Sequence, residues 1–420
     1  MRKLFILRGC QGSGKSQIIK ELGVEDNTLS FSAFRNLFYD TRSTLDDNQY
    51  CYTGETQMYD KKIVEAMLNA AESRMVIGST LFIDSMNLNN KDLAKWKNLA
   101  RKYYYDMFII DVQGEKTDKE LIHMNKKKGL NTVDERSLLD HARKGREKNF
   151  LSDYKVISIE DIKQELSISN LTVDAEKYKK VIVVGDVHGH YDELIELLAP
   201  HGGINNKNNL YVFSGDLIDR GEKSIEVVEH ILGKKRDNVI VVEGNHEMNM
   251  RHVLSGTKPR VSYQTKKTRD EMLEKGWKEK DIKRILLDNL VPFVLLKNVV
   301  GSVKPVLVTH AGVTAQNFSH TAMLKPITEY TYGSSNRNKV SKGHSTYSSY
   351  VDILLDKYSD SSYIQVHGHR NKVNNNGIIE YPFRTGNIYN VEAGITEQGS
   401  IRSAVFSDIG IMSHEVSAIQ

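Results

Sequence analysis

Cysteine is nearly absent from this 420-residue chain, which holds only Cys10 and Cys51. Neither has metal-ligand spacing, and Cys10 lies inside a glycine-rich loop. A disulfide is not expected, and the chain fits a reducing, cytoplasmic setting. An excess of one charge is also missing: the formal net charge is only +4. That balance permits a nucleic-acid partner without arguing for one. No apolar run approaches the length of a membrane span, so no membrane partner is expected. Met1-Arg-Lys-Leu-Phe-Ile-Leu-Arg8 starts like a secretory signal, but its apolar run is short and enters the glycine loop. It reads better as a first buried strand. No internal repeat is visible.

What is present suffices for two cores. The length exceeds that of one ordinary domain, and 39% apolar with 27% charged residues suits a globular protein. The first third alternates strands and helices. Leu4–Leu7 is an apolar run, Ser16–Leu22 a helix, and Asp60–Ser73 carries apolar residues at helical spacing. Val76–Ile83 reads as a strand ending at Asp84, Asn90–Tyr104 as an amphipathic helix, and Met107–Val112 as another strand. This rhythm predicts a parallel sheet with helices on both faces. The polar stretch from Asn149 to Lys180 reads as a separator, and residues 1–172 and 173–420 as the two domains. In the second, Val181–Val184, Leu210–Phe213, Val239–Val242 and Val306–Thr309 read as buried strands. Residues 251–300 read as a lysine-rich helical insertion, and 330–350 as loop.

Each of those strands runs into a short polar motif: Gly-Asp186-Val-His188-Gly, Gly-Asp216-Leu-Ile-Asp219-Arg220-Gly, Gly-Asn245-His246-Glu247 and Thr309-His310-Ala-Gly. His367-Gly-His369 follows. Two divalent cations about 4 Å apart can stabilise both oxygens of a phosphoryl displacement. Holding them takes oxygen and imidazole ligands with one shared carboxylate. Asp186, His188, Asp216 and His369 are assigned to one metal, and Asp216, Asn245, His310 and His367 to the other, so Asp216 bridges. The mixed donor set suits Mn²⁺, Fe or Ni²⁺ better than Mg²⁺. His246, beside Asn245, can serve the departing oxygen as a proton donor. Arg220 offers a bidentate fork to phosphate. His141, His230, His252, His320, His344 and His414 read as solvated, and His190 and His201, near the first motif, as supports of the ligands at most. The order of the motifs resembles the calcineurin-like metallophosphoesterases, and within them the phosphoprotein-phosphatase branch. The resemblance covers about residues 181 to 395 and speaks for an α/β sandwich.

Gly9-Cys-Gln-Gly12-Ser-Gly14-Lys15-Ser16 stands between a strand and a helix, the setting of a P-loop. Its glycines let backbone N–H groups wrap phosphates at a helix N-terminus. Lys15 would reach the β/γ-phosphates of ATP, Ser16 would hold Mg²⁺, and Asp84 stands near the metal or acceptor. The loop, the Asp84-Ser-Met-Asn-Leu-Asn segment and the second half together resemble end-healing polynucleotide kinase-phosphatases of bacteria and phages, without a ligase module. That resemblance implies ATP-dependent phosphorylation of 5′-OH ends and removal of 2′,3′-cyclic, 2′- or 3′-phosphates. The partners would be nucleic-acid ends, RNA ahead of DNA, with a separate RNA ligase downstream. Arg35 matches the family's acceptor-side arginine, but Ser32 stands where the family has a general-base aspartate; Asp40 or Asp84 could substitute. The family's lid arginines are replaced by Lys126-Lys127-Lys128, of which Lys128 is the candidate phosphate contact. Glu392-Ala-Gly394 replaces the family's Asp-Thr-Gly. Lys234-Lys235-Arg236 and Tyr103-Tyr104-Tyr105 are candidate nucleic-acid contacts, with a solvated face and a core-packed helix end as the plainer alternatives. The competing function is a protein Ser/Thr or dinucleoside-polyphosphate phosphatase with a regulatory or recruiting ATP-binding domain.

Overall fold

A computed structural model describes residues 2–38, 54–114, 116–126, 134–257, 262–314, 318, 321–333, 357, 362–370, 372–373, 379–380, 382–396 and 398–417. Asp40, Cys51, Lys127, Lys128 and residues 334–350 lie outside them. The chain divides into two compact units. One comprises Met1–Ser167 with Met323–Pro326, the other Ile168–Ala322 with Ile327–Gln420.

The first unit is built on a parallel sheet of β1 (Lys3–Arg8), β2 (Thr28–Ser30), β3 (Leu81–Asp84), β4 (Asp106–Asp111) and β5 (Lys155–Val156), in the order β2-β3-β1-β4-β5. Its helices are α1 (Lys15–Leu22), α2 (Phe31–Phe38), α3 (Gly54–Val76), α4 (Asn90–Tyr103), α5 (Asp118–Lys126), α6 (Glu135–Arg146) and α7 (Ile159–Glu165). Strand alternation divides β1 between two cores. Leu4 and Ile6 pack with Ile63 and Met67 of α3 and Leu93 and Trp96 of α4. Phe5 and Leu7 pack with Ile18 and Ile19 of α1 and Ile162 of α7. Helices therefore cover both faces.

In the second unit, β6 (Thr172–Asp174), β7 (Lys180–Val184), β8 (Asn209–Phe213), β9 (Val239–Val242), β10 (Leu290–Val291), β11 (Val294–Lys297), β12 (Val306–Thr309), β13 (Ile364–His367), β14 (Lys372–Val373), β15 (Ile379–Glu380), β16 (Arg384–Thr385), β17 (Ile388–Asn390), β18 (Ser400–Ser407) and β19 (Gly410–Ser417) form two six-stranded sheets and a small hairpin. The sheets run β10-β9-β8-β7-β18-β19 and β16-β17-β13-β12-β11-β6. Val181, Val183, Leu210, Val212 and Phe406 of the first meet Val294, Leu296, Val306, Val308 and Val366 of the second in one dry layer. The opposite face of the first sheet, Ile182, Val184, Tyr211 and Phe213, is buried with α8 (Tyr191–Leu198) and α9 (Ser224–Leu232). The helices α10 (Asn245–Ser255), α11 (Tyr263–Glu274), α12 (Glu279–Ile285) and α13 (Thr328–Thr331) complete the unit.

Several sequence expectations are corrected. Val76 is the last residue of α3, and the strand starts only at Leu81, because Gly78 turns the chain at a positive φ of 74°. The division between the units, Ser167 to Ile168, falls within Asn149–Lys180, which also contributes β5 to one unit's sheet and β6 to the other's. The short strands β10 and β11 join the two sheets inside the stretch read as a helical insertion. Tyr103 and Tyr105 are buried and so pack into the core, while Tyr104, half-buried, caps α4 in the left-handed conformation. His252 is buried rather than solvated. Arg236 donates to the carbonyls of His230 and Ile231 at the end of α9. Among the described residues no helix is long and apolar enough to cross a membrane.

Candidate metal centre and glycine-loop site

Strands β7, β8 and β9 are parallel, so their C-terminal ends share one edge. They deliver Asp186, Asp216 and, at the first turn of α10, Asn245. Strands β12 and β13 are parallel too, with Thr309 opposite His367, and deliver His310, His367 and His369. The hub is Asp216. Its Oδ2 stands 3.4 Å from His310 Nε2, 3.7 Å from His188 Nε2 and 3.9 Å from His246 Nε2. Asp186 Oδ2 lies 3.9 Å from His188 Nε2. Two ligand-like groups result among the described residues: Asp186, Asp216, His310 and His369, and His188, Asp216 and His246. Asp216 is common to both, as the sequence assignment has it, but the membership otherwise differs. His310 joins the Asp186 group, and His246 stands where a ligand was not expected. Asn245 enters through its Oδ1, 3.0 Å from His310 Nε2. His367 is in neither group; its Nδ1 donates to Gly368 O.

Backbone carbonyls orient the imidazoles. His188 Nδ1 donates to Ile218 O at 3.1 Å and His310 Nδ1 to Ser214 O at 2.7 Å. In His188 the bond places the ring proton on Nδ1 and leaves the Nε2 lone pair for the site, whereas His310 Nε2 faces the acceptors Asn245 Oδ1 and Asp216 Oδ2 and would have to give up a proton to hold a cation. Burial, chiefly, pushes His188 down to about 3 and holds His369 well below the usual histidine range, aided there by His310. These rings are therefore neutral donors near pH 7. Burial lifts Asp186 well above the carboxylate range, with Glu392 and Asp216 adding repulsion. Burial also acts to raise Asp216, but His310 and His246 outweigh it and hold it low. His310 and His246 are raised in return: burial opposes, and the charge of Asp216 wins.

Glycines let the loops close directly onto the two aspartates. A Cβ at Gly244 would stand 2.2 Å from Asp216 Oδ1, and one at Gly368 would stand 2.2 Å from Asp186 Oδ1. Eight non-glycine residues among those described have positive φ, and five of them, His188, Asp216, Asp219, Arg220 and His369, belong to these motifs. Strained backbone of this kind concentrates at functional sites. Buried carboxylates, neutral imidazoles and an amide oxygen on glycine-lined loops fit a pair of divalent transition cations.

Three residues entered the sequence reading only as motif letters or as a departure. Glu247 accepts from the backbone N–H groups of Asp216, Gly244 and Leu217 at 2.9, 3.0 and 2.8 Å, and so fixes the Asp216 loop. Asp219 accepts from His246 Nδ1 at 2.7 Å. Glu392 is buried beside Asp186 and accepts from Gly394 N. The Gly-Asn-His-Glu and Asp-x-x-Asp-Arg spacings contained the first two, but no spacing states which side chain faces which. Arg220 Nη1 donates to Thr396 Oγ1 at 2.7 Å at the rim.

In the first unit, the loop Gly9–Gly14 joins β1 to α1, with Gly9, Gly12 and Gly14 all at positive φ. Lys15 Nζ folds back on the carbonyls of Gly9 and Cys10 at 2.8 and 3.0 Å. Ser16 Oγ donates to Asp84 Oδ2 at 3.0 Å, since the β1–β3 register sets Leu7 against Asp84. Ser30 Oγ donates to the same oxygen at 3.3 Å and lies 3.0 Å from Ser32 Oγ. Arg35 is paired with Asp60 at 2.7 Å. The candidate phosphate contact Lys128 lies outside the described residues. Beside α1 is a cavity of about 290 Å³, lined in part by Ser13, Gln17, Ile18, Lys116, Ile157 and Ile159.

Comparison with known proteins bears on the second unit. Residues 179–388 match the calcineurin-like phosphoesterase family, a span that holds every metal-ligand candidate. A zinc-dependent endopolyphosphatase of Saccharomyces cerevisiae is 46% identical over 70 residues, 17% of this chain and 21% of that protein. A bis(5′-nucleosyl)-tetraphosphatase, PrpE, of Bacillus subtilis is 29% identical over 143 residues, 32% of this chain and 58% of that one. Human serine/threonine-protein phosphatase 5 is 31% identical over 100 residues, 23% of this chain and 20% of its own. The chain thus spans less than two thirds of each relative. With its matched half carrying aspartate, histidine and asparagine side chains at the ends of parallel strands, the chain belongs to the calcineurin-like phosphoesterases, a metal-dependent hydrolase family.

Proposed function

We propose that the chain is a bifunctional end-healing enzyme. Its second unit would remove 2′,3′-cyclic, 2′- or 3′-phosphates from nucleic-acid ends, RNA ahead of DNA. Its first unit would transfer the γ-phosphate of ATP to 5′-OH ends. The observation that carries the kinase half is the loop: Lys15 held over the carbonyls of Gly9 and Cys10, with Ser16 bonded to Asp84. A lysine folded onto its own loop can swing to a triphosphate, and the Ser16 hydroxyl offers an oxygen to Mg²⁺. The observation that carries the phosphatase half is Asp216 Oδ2, faced by three imidazole nitrogens.

A cation pair bound there would polarise the phosphoryl oxygens and stabilise the charge that builds on them. Asp186, His188, Asp216, Asn245, His310 and His369 would hold it, with His367 next to the group. Arg220 would clamp a phosphate oxygen, and Thr396 steadies its guanidinium at the rim. His246, its Nδ1–H donated to Asp219, presents Nε2 to the site and would pass a proton to the leaving oxygen. In the first unit Asp84, joined to Ser32 through Ser30, would take the proton of the attacking hydroxyl.

A second reading, a dinucleoside-polyphosphate or protein Ser/Thr phosphatase with an ATP-binding recruiting unit, is favoured by the relatives. Two of the three act on such substrates by name, and none is a kinase. One experiment separates the two. The purified chain and its Lys15→Ala variant are given labelled ATP with 5′-OH RNA or DNA. In parallel, release of phosphate is compared for a 2′,3′-cyclic nucleotide, a phosphopeptide and diadenosine tetraphosphate. End healing requires label transfer that Lys15→Ala abolishes, with the cyclic nucleotide cleaved in preference. No transfer, with diadenosine tetraphosphate or the phosphopeptide preferred, establishes the second reading.

A further inference from the structure

Asp219 is completely buried, and its carboxylate is met by three side-chain donors. His246 Nδ1 donates to Oδ2 at 2.7 Å. Thr265 Oγ1 donates to the same oxygen at 2.5 Å, and Thr268 Oγ1 donates to Oδ1 at 2.7 Å. Both threonines are buried and stand on α11, three residues apart and therefore on one face. Asp219 is itself held in the left-handed conformation, at φ 74°, with its N–H bonded to Ser224 Oγ. The lysine-rich insertion thus reaches the catalytic edge through two hydroxyls.

The chemistry of these contacts is directional. A buried carboxylate needs hydrogen-bond donors to remain ionised and fixed in place. The carboxylate oxygen accepts in this contact, so the proton between Asp219 and His246 rests on Nδ1. That leaves His246 Nε2, 3.9 Å from Asp216 Oδ2, as the nitrogen that faces the reacting centre. The angle of the imidazole follows the angle of the Asp219 carboxylate. Among the described residues, the two hydroxyls and His246 are the side-chain donors that fix the plane of that carboxylate.

We propose that Thr265 and Thr268 are positioning residues: from α11 they lock the Asp219 carboxylate and thereby aim His246 at the leaving oxygen. The proposal rests on the reading of His246 as proton donor. The insertion is then part of the catalytic apparatus, acting through Asp219 and touching neither substrate nor metal.

The test uses the full chain loaded with Mn²⁺. Thr265→Val, Thr268→Val and the double variant keep the side-chain shape and remove the hydroxyls; Thr265→Ser and Thr268→Ser restore them. Each is assayed on an aryl phosphodiester, whose leaving group needs no proton, and on an alkyl phosphomonoester, whose leaving group does. The double valine variant is expected to lose about 10- to 100-fold in kcat on the alkyl ester, the usual effect of removing such an outer partner. It should lose far less on the aryl ester, with KM and bound metal unchanged, and the serine variants should retain the wild-type rates. In metal-free protein, the His246 Nδ1–H resonance in a ¹⁵N–¹H spectrum should be protected in the wild type and in the serine variants, and broaden in the double valine variant. His246→Ala is run beside them. If it shows the leaving-group-dependent loss and the valine variants do not, the threonine role is overturned alone. If the valine variants lose equally on both esters, or serine fails to restore them, the role is structural and the proposal fails. If His246→Ala itself loses equally on both esters, the proton-donor reading falls, and the threonine role defined through it falls with it. If the valine variants do not fold, the serine variants decide: loss of activity in folded Thr265→Ser and Thr268→Ser overturns the proposal.

Discussion

Gly368→Ala isolates the geometry of the metal centre in one methyl group. Gly368 lies between His367 and His369, and a Cβ there would stand 2.2 Å from Asp186 Oδ1 and 2.9 Å from Ser214 Oγ. Comfortable contact is roughly 3.5 Å, so the carboxylate oxygen would have to retreat by about 1 Å. The backbone cannot give way freely, because Gly368 N donates to His310 O at 2.8 Å. Two costs follow. Overpacking of this kind destabilises by about 1–3 kcal/mol, and each kcal/mol lowers Tm by about 2–4 °C in a unit of this size. A misplacement of about 1 Å in a reacting constellation costs roughly 100-fold in rate. The variant should therefore melt several degrees lower yet remain folded at 25 °C, and lose about 100-fold in kcat/KM on an aryl phosphodiester in saturating Mn²⁺. The measurements are a melting curve, bound metal by mass spectrometry and steady-state kinetics. Full activity with full metal occupancy would refute the reasoning, since Asp186 would then tolerate displacement and could not be a ligand.

Three further outcomes are expected. Excess chelator should abolish phosphoesterase activity, and Mn²⁺ or Ni²⁺ should restore it better than Mg²⁺, because the donor set is rich in imidazole; undiminished hydrolysis in chelator would remove the metal centre. In the first unit, transfer of label from ATP to 5′-OH RNA should survive Ser32→Asp with little change and vanish in Asp84→Ala, because Ser30 links Ser32 to Asp84; activity in folded Asp84→Ala would assign the base elsewhere. His201 is pushed down to about 4, chiefly by burial and then by His414 and Lys180, from an ordinary 6.5. The native state therefore binds fewer protons than the unfolded one below pH 6.5, and the stability His201 contributes is present above that pH and lost as pH falls toward 4. Melting temperature followed from pH 7 to 4 should fall less steeply in His201→Phe than in the wild type, and identical slopes would count against this assignment.

What could be read from the sequence depended on local pattern. β7, β8 and β9 are continuous β-branched or apolar runs because both faces of their sheet are covered, and such runs are visible without any partner. β10 and β11 are short and sit within a lysine-rich helical stretch, so their pairing with β9 and β12 is written in tertiary contacts only. Val76 misled because an apolar residue at the end of α3 looks the same as one at the start of a strand. At the centre, glycine-flanked Asp186, Asp216 and Asn245 announce themselves by spacing. The ring orientation of His188, set by Ile218 O, and the approach of Thr265 to Asp219 carry no sequence pattern. In α11 the two threonines look like any polar pair on a helix, since their partner lies far away in the chain.

The left-handed backbone of the motif residues has a consequence for engineering. Each non-glycine residue held there forgoes roughly 1–2 kcal/mol, so His188, Asp216, Asp219, Arg220 and His369 together withhold an amount comparable with the whole net stability of a typical domain. A sequence optimised for thermal endurance alone would put glycine at these positions, gain resistance to heat and lose its reagents. Tyr104, the left-handed cap of α4 at φ 62° and outside the motifs, is where the same exchange would relieve backbone strain without touching the chemistry.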